Sequence, residues 1–217
     1  MTALISASGL GVSIDGHVLL APVSFDIDAG QVLAVTGSNG AGKTTLLRVL
    51  TGLSRPSEGT VTVAGNAPNE RIPEFRGRLA ALLGLPAFAR NLTLREHMLL
   101  VAASWGQNFD VADERVDGLL HDFGIARLGA RFPHELSSGQ TQLFALALTL
   151  SRSFEVLLLD EPEQRLDSER LNMVSDLLRG LADNGTTIVM ASHNQQLVDA
   201  VSDQVLSITE GVYGNRG

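Results

Sequence analysis

The chain has 217 residues, no cysteine and a formal charge of -8. A chain of this length buries roughly 70% of the surface it exposes when unfolded, so one substantial domain stands without a disulfide or metal staple. Without cysteine there are no thiolate zinc sites and no cysteine nucleophile, and an acidic chain with no basic run is not built to neutralise nucleic-acid phosphates, so no nucleic-acid partner is expected.

Strand-like runs come first, at residues 4–6, 18–27, 31–36 and 61–64. They are rich in Val and Ile and broken by Gly, Asp and Pro. A glycine-rich loop follows the third run, and a helix is expected over 43–50, stopped near Gly52. From 86 to 153 the apolar residues take helical spacing, as in Leu94, Met98, Val101, Ala102 and Trp105, then Val116, Leu119, Leu120 and Phe123. Continuous apolar runs return at 156–159 and 186–190, which suits strands buried on both faces of a parallel sheet. A helix at 168–181 between them completes a parallel crossover unit, and a hairpin is expected over 206–213, turning at Glu210 and Gly211. The apolar stretches 79–89 and 143–150 are shorter than the about 18 residues a membrane span requires, and residues 1–9 lack the pattern of a signal peptide. The expectation is one α/β domain over 1–217 that is soluble by itself. Its core is 1–85 and 154–217, and 86–153 is an inserted helical subdomain.

Residues Gly37, Ser38, Asn39, Gly40, Ala41, Gly42, Lys43 and Thr44 fit G-x-x-x-x-G-K-[ST] without a gap, with Thr45 next. Glycines let the backbone curl so that successive N–H groups point at phosphate oxygens. Lys43 adds a charge near the β and γ phosphates, and the Thr44 hydroxyl suits Mg²⁺. The helix behind the loop offers its positive end to the same anion. The loop follows a strand and opens a helix, which selects a nucleotide-binding loop over a plain turn.

The run 154–162 supplies the second half: an apolar strand ending in Asp160, Glu161 and Pro162. Ligands of open α/β sheets bind at this edge. Asp160 is placed to hold Mg²⁺ through water, and Glu161 to orient an attacking water. Taken alone, an acidic helix cap after a strand explains the same residues.

Between these lies Leu136, Ser137, Ser138, Gly139 and Gln140, which closely resembles the LSGGQ signature, with Ser138 where glycine is usual. Leu166 and Asp167 resemble the D-loop, although a turn or helix cap explains that pair as well. The run 187–193 ends in Ser192 and His193 like the strand that leads to a switch histidine. Order and spacing together resemble the nucleotide-binding domains of ABC transporters, over essentially the whole chain. The resemblance implies a P-loop NTPase core with a parallel sheet and an antiparallel β edge. It implies ATP and Mg²⁺ as bound species and a second ATP-binding subunit, identical or a sibling, arranged head to tail. Each ATP then sits between the phosphate loop of one copy and Ser137, Ser138, Gly139, Gln140 and Asp167 of the other, with His193 clamping the γ-phosphate. It also implies an integral membrane permease, docked near 86–100, that holds the chain at the inner face of the cell membrane in the cytoplasm. The lean single domain resembles subunits of separately encoded permeases, including exporters. The alternatives are an ATP-driven dimerisation module with vestigial hydrolysis and a soluble ABC-type ATPase outside transport.

Four positions depart from the family pattern. Leu85 stands where a Mg²⁺-binding glutamine is usual, and no glutamine lies between Gln31 and Gln107. Ile14, with His17 nearby, stands where an aromatic stacks on adenine. Glu163, Gln164 and Arg165 replace small residues beside the expected dimer contact. Leu143 replaces an arginine in the helix after the signature.

Overall fold

A computed structural model describes residues 3–209. Its strands are β1 (Ile5–Ile14), β2 (His17–Ile27), β3 (Val32–Thr36), β4 (Glu58–Val63), β5 (Leu79–Leu82), β6 (Val156–Asp160), β7 (Thr187–Ala191) and β8 (Gln204–Ser207). The helices are α1 (Lys43–Leu50), α2 (Pro73–Arg78), α3 (Leu94–Ser104), α4 (Phe109–Asp122), α5 (Ser138–Leu150), α6 (Ser168–Asp183) and α7 (Gln195–Val201). Strands β2, β1 and β4 form an antiparallel sheet in that order. Strands β5, β6, β7, β3 and β8 form a second sheet in which every pairing is parallel.

The parallel sheet is the centre of the molecule, and its alternation sorts the core into two clusters. Val32, Ala34, Leu157, Leu159, Ile188 and Met190 share one cluster with residues of α3 to α7. Leu33, Val35, Val156, Leu158, Val189 and Ala191 share the other with α1 and the antiparallel sheet. Both faces are covered, so these strands read as unbroken apolar runs. The crossover from β6 through α6 to β7 is parallel, as its sequence pattern requires.

Several elements differ from the sequence expectation. β1 runs to Ile14 rather than stopping at Ser6, with register shifts against β2 that absorb its glycines. Helix α5 starts at Ser138, so it begins inside the signature run itself. β5 and α2 occupy residues that gave no periodic signal, because each is at most six residues long. In the expected C-terminal hairpin, Leu206 and Ser207 belong to β8, which pairs in parallel with β3, and its turn at Glu210 and Gly211 lies outside the described residues. Within 86–153, α3, α4 and α5 pack on one another, and α5 also reaches β5. Arg152 fixes this junction. Its guanidinium donates to the carbonyls of Arg76 and Leu79 and lies 3.7 Å over the Trp105 ring.

Candidate functional site

β6, β7 and β3 are neighbours in the sheet, so the loops leaving their carboxyl ends meet at one edge. The loop after β3 is the glycine-rich one, and it runs directly into α1. Gly42 is the N-cap residue of α1, with φ 108°, and a side chain there would sit 2.5 Å from the Leu19 carbonyl oxygen. Only glycine meets both demands. The Lys43 ammonium donates to the carbonyls of Gly37 at 2.8 Å and Ser38 at 2.9 Å, which pins a nearly buried cation inside the loop.

Across the sheet edge, the Thr44 hydroxyl donates to Asp160 Oδ2 at 2.6 Å. The acidic end of β6 therefore touches the start of α1. A cavity of about 320 Å³ lies over this contact, lined by Leu19, Asn39, Gly40, Gly42, Lys43, Thr44, Thr45, Asp160 and Glu161. Glu161 has φ 49°, a left-handed conformation that costs a non-glycine residue about 1–3 kcal/mol and collects at functional sites. It is held there from both sides. Its N–H donates to the Ala191 carbonyl at 2.9 Å, and its Oε2 accepts from Gln164 Nε2 at 3.1 Å. His193 Nδ1 lies 3.5 Å from Glu161 Oε1.

A hydroxyl, a carboxylate and an adjacent anion-binding loop are the donor set of a Mg²⁺ ion that shares its ligands with phosphates and water. Among the described residues no three His, Cys, Asp or Glu side chains gather into an all-protein metal cage, and Mg²⁺ at phosphate sites is held without one. Thr44 and Asp160 fit it.

The remaining predicted residues do not line this cavity. Ser137 caps α5: its Oγ accepts from Gln140 N, and Gln140 Oε1 accepts from Ser137 N, a reciprocal capping box. Ser137 and Ser138 are exposed, whereas Gly139 is buried, and a Cβ on it would sit 2.8 Å from the Arg165 carbonyl oxygen. Gln142 Nε2, one turn on, donates to the Pro162 carbonyl. The signature helix thus packs against the segment that carries Glu161, with Ser137 and Ser138 exposed at its start. Asp167 is the N-cap of α6: it accepts from Arg170 N at 2.9 Å and pairs with the Arg170 guanidinium at 3.1 Å. Within the chain, the cap is its role.

The departures acquire structural settings. Leu143 is buried in the core cluster beneath the helices, where a leucine packs and an arginine would need a partner. Leu85 and Ile14 are exposed. Of Glu163, Gln164 and Arg165, the last two are exposed, but Glu163 turns inward. It accepts from Ser192 Oγ at 2.6 Å and from His193 N at 3.3 Å. Sequence reasoning marked this trio as unusual at a dimer contact. It did not foresee that Gln164 would hold Glu161 or that Glu163 would reach the loop after β7.

The family model for the ABC transporter domain matches residues 20–164. The chain belongs to the ABC transporter family. Residues across its length are 34% identical to a putative ABC transporter ATP-binding protein of Brucella suis, covering 97% of this chain and 88% of that one. A putative 2-aminoethylphosphonate import ATP-binding protein of Salmonella choleraesuis is 32% identical over 97% of this chain, which spans 57% of that longer relative. A solved ATP-binding subunit of an ABC transporter superposes with a TM-score of 0.85 at 25% identity, covering 94% of this chain and 85% of that chain. The cassette is an ABC-type ATPase and the ATP-binding subunit of a transport system. No helix among the described residues is long and apolar enough to cross a membrane.

Proposed function

We propose that the chain binds Mg²⁺ and ATP at the phosphate loop and hydrolyses the γ-phosphate to power a separate membrane permease from the cytoplasmic side. The observation that carries this reading is the convergence of three strand ends. Thr44 is 2.6 Å from Asp160 at one side of the cavity, and Glu161 is 3.5 Å from His193 at the other. Phosphoryl transfer asks for positioning and charge stabilisation more than covalent chemistry. The loop N–H groups and Lys43 bind the triphosphate. Glu161 accepts a hydrogen bond from water and aims it at the γ-phosphorus. As the water oxygen bonds to phosphorus, the bond to the bridging oxygen of ADP breaks, and the water proton leaves toward Glu161. His193 steadies the γ-phosphate oxygens. When bound through Thr44 and Asp160, Mg²⁺ supplies charge neutralisation at the phosphates.

The signature residues act in a second subunit. Ser137 and Ser138 face solvent at the N-terminal end of α5, where free N–H groups and the helix dipole favour an anion. They lie outside the lining of their own chain's cavity, so a facing copy is the natural recipient. Asp167 pairs with Arg170, whose guanidinium lies 3.3 Å from a Cβ built on Gly139, so it stands beside the signature and joins the contact between copies. The permease docks in a groove of about 230 Å³ between β5 and the helical insertion, lined in part by Leu82, Gly84, Pro86, Val101 and Leu148. A short partner helix fits such a groove. Export is the direction proposed for the system. The import relative belongs to the same family, so the permease, rather than the cassette, sets direction.

The test is phosphate release from Mg²⁺ and ATP by the purified chain and by Lys43→Ala. Turnover that disappears in the variant supports the reading. A chain that binds ATP yet releases no phosphate, alone or with its permease, overturns it in favour of a dimerisation module.

A further inference from the structure

Glu163 is a buried carboxylate to which the reaction as described assigns no role. Its side chain is 5% exposed, and it links two loops of the site: Oε1 accepts from Ser192 Oγ at 2.6 Å and from His193 N at 3.3 Å. Ser192 is itself fully buried, and its N–H donates to the Val35 carbonyl on β3. One carboxylate oxygen therefore ties the loop after β6 to the loop after β7, and through Ser192 to the strand that leads into the phosphate loop. The other oxygen, Oε2, is buried with no hydrogen-bond partner among the described residues. Leaving a buried carboxylate oxygen unpaired is costly, and a small apolar residue would fill the place more stably. The residue is therefore poorly explained by packing.

What it touches explains it better. His193 Nδ1 lies 3.8 Å from Glu163 Oε1 and 3.5 Å from Glu161 Oε1, while the His193 side chain is 61% exposed. An exposed imidazole has little packing to fix its ring. Here its backbone N–H is held by Glu163, and its Nδ1 edge faces two carboxylates. That arrangement leaves the opposite ring nitrogen, Nε2, on the exposed edge of the ring. A ring that donates on both edges is the imidazolium, with Nδ1–H toward the carboxylates and Nε2–H free for a phosphate oxygen.

We propose that Glu163 is a positioning residue for ATP hydrolysis, acting through Ser192 and His193: it holds the His193 loop and presents Nε2 to the γ-phosphate. This rests on the ATPase reading above. Losing a charge-assisted tether of this kind lowers turnover by about tenfold, with KM for ATP changed less than about twofold, because the phosphate loop is untouched.

The experiment is steady-state phosphate release with Mg²⁺ and ATP by the full chain, in a double-mutant cycle of Glu163→Ala and His193→Ala. Glu163→Gln keeps an acceptor for Ser192 and His193, so it is expected to recover most of the turnover. Glu163→Ala is expected to lose it and to add nothing once His193 is gone. If Glu163→Ala does not fold, Ser192→Ala removes the 2.6 Å bond from its other end and is expected to lower kcat in the same direction. A wild-type kcat in Glu163→Ala, a loss of the same size with and without His193, or a Gln variant as slow as the Ala variant each overturns the proposal. If the unsubstituted chain releases no phosphate, the ATPase reading fails and the proposal with it. If it does and Glu163→Ala matches it, only the positioning role falls.

Discussion

The two halves of the nucleotide site are built in different ways. The phosphate-loop half is complete inside one chain. Strands β3, β6 and β7 bring Lys43, Thr44, Asp160, Glu161 and His193 to one edge, and direct hydrogen bonds hold them there. The signature half is held by its capping box and by the close approach of Gly139 to Arg165, yet its residues do not line their own chain's cavity. On the proposed reading, this helix end serves the site of a facing copy. The difference, on that reading, is that this chain recognises nucleotide alone and completes the site only in a pair.

The largest effect is expected from Lys43→Ala. Removing the cation held by the Gly37 and Ser38 carbonyls is expected to weaken ATP binding by the monomer by about tenfold or more, measured by calorimetry. Gly139→Ala is the contrasting case. The added methyl meets the Arg165 carbonyl at 2.8 Å, so the signature must shift. Binding of ATP by the monomer is expected to stay within about twofold, while turnover falls by about tenfold, since a displacement near 1 Å is enough to spoil a reacting geometry. Equal losses of monomer binding in both variants would break the comparison.

Arg152→Ala tests the junction rather than the chemistry. Burial, with the nearby Arg76 charge, lowers the Arg152 pKa to about 10. A base with a lowered folded pKa costs stability at every pH below that value, and the cost fades only as pH rises through it. The side chain stays for what it bonds, the Arg76 and Leu79 carbonyls and the Trp105 ring. Its removal is expected to cost about 2 kcal/mol, a melting temperature lower by roughly 4–8 °C, with no change in ATP affinity. The smallest effect is expected from Gln164→Ala, which frees one oxygen of Glu161 and lowers kcat by about threefold at constant KM.

Contiguity decided what could be read from the sequence. Residues 37–44 carry their geometry in one uninterrupted pattern, and α1 begins and ends where that pattern puts it. The paired apolar runs of β6 and β7 were legible because both faces of each strand are buried. β1 was less so, since Gly9 and Gly11 interrupt its alternation and only register shifts against its neighbours keep it a strand. β5 is four residues long, and its place beside β6 is a tertiary fact. Glu163 stood out as a charge where small residues are usual, but its inward turn depends on a hydroxyl at Ser192, 29 positions away. Gln164 stood out with it, but its hold on Glu161 was not legible, because that partner is set by the left-handed backbone at Glu161 and Arg165, which no local pattern announces.

The claim that the signature works in a facing copy is tested most directly by molar mass. Glu161→Gln keeps the shape of the carboxylate and blocks hydrolysis, so bound ATP should persist. Size-exclusion light scattering with Mg²⁺ and ATP is expected to show a dimer that is absent without nucleotide. A chain that binds ATP and remains monomeric, at protein concentrations well above those of the assay, would contradict the paired site.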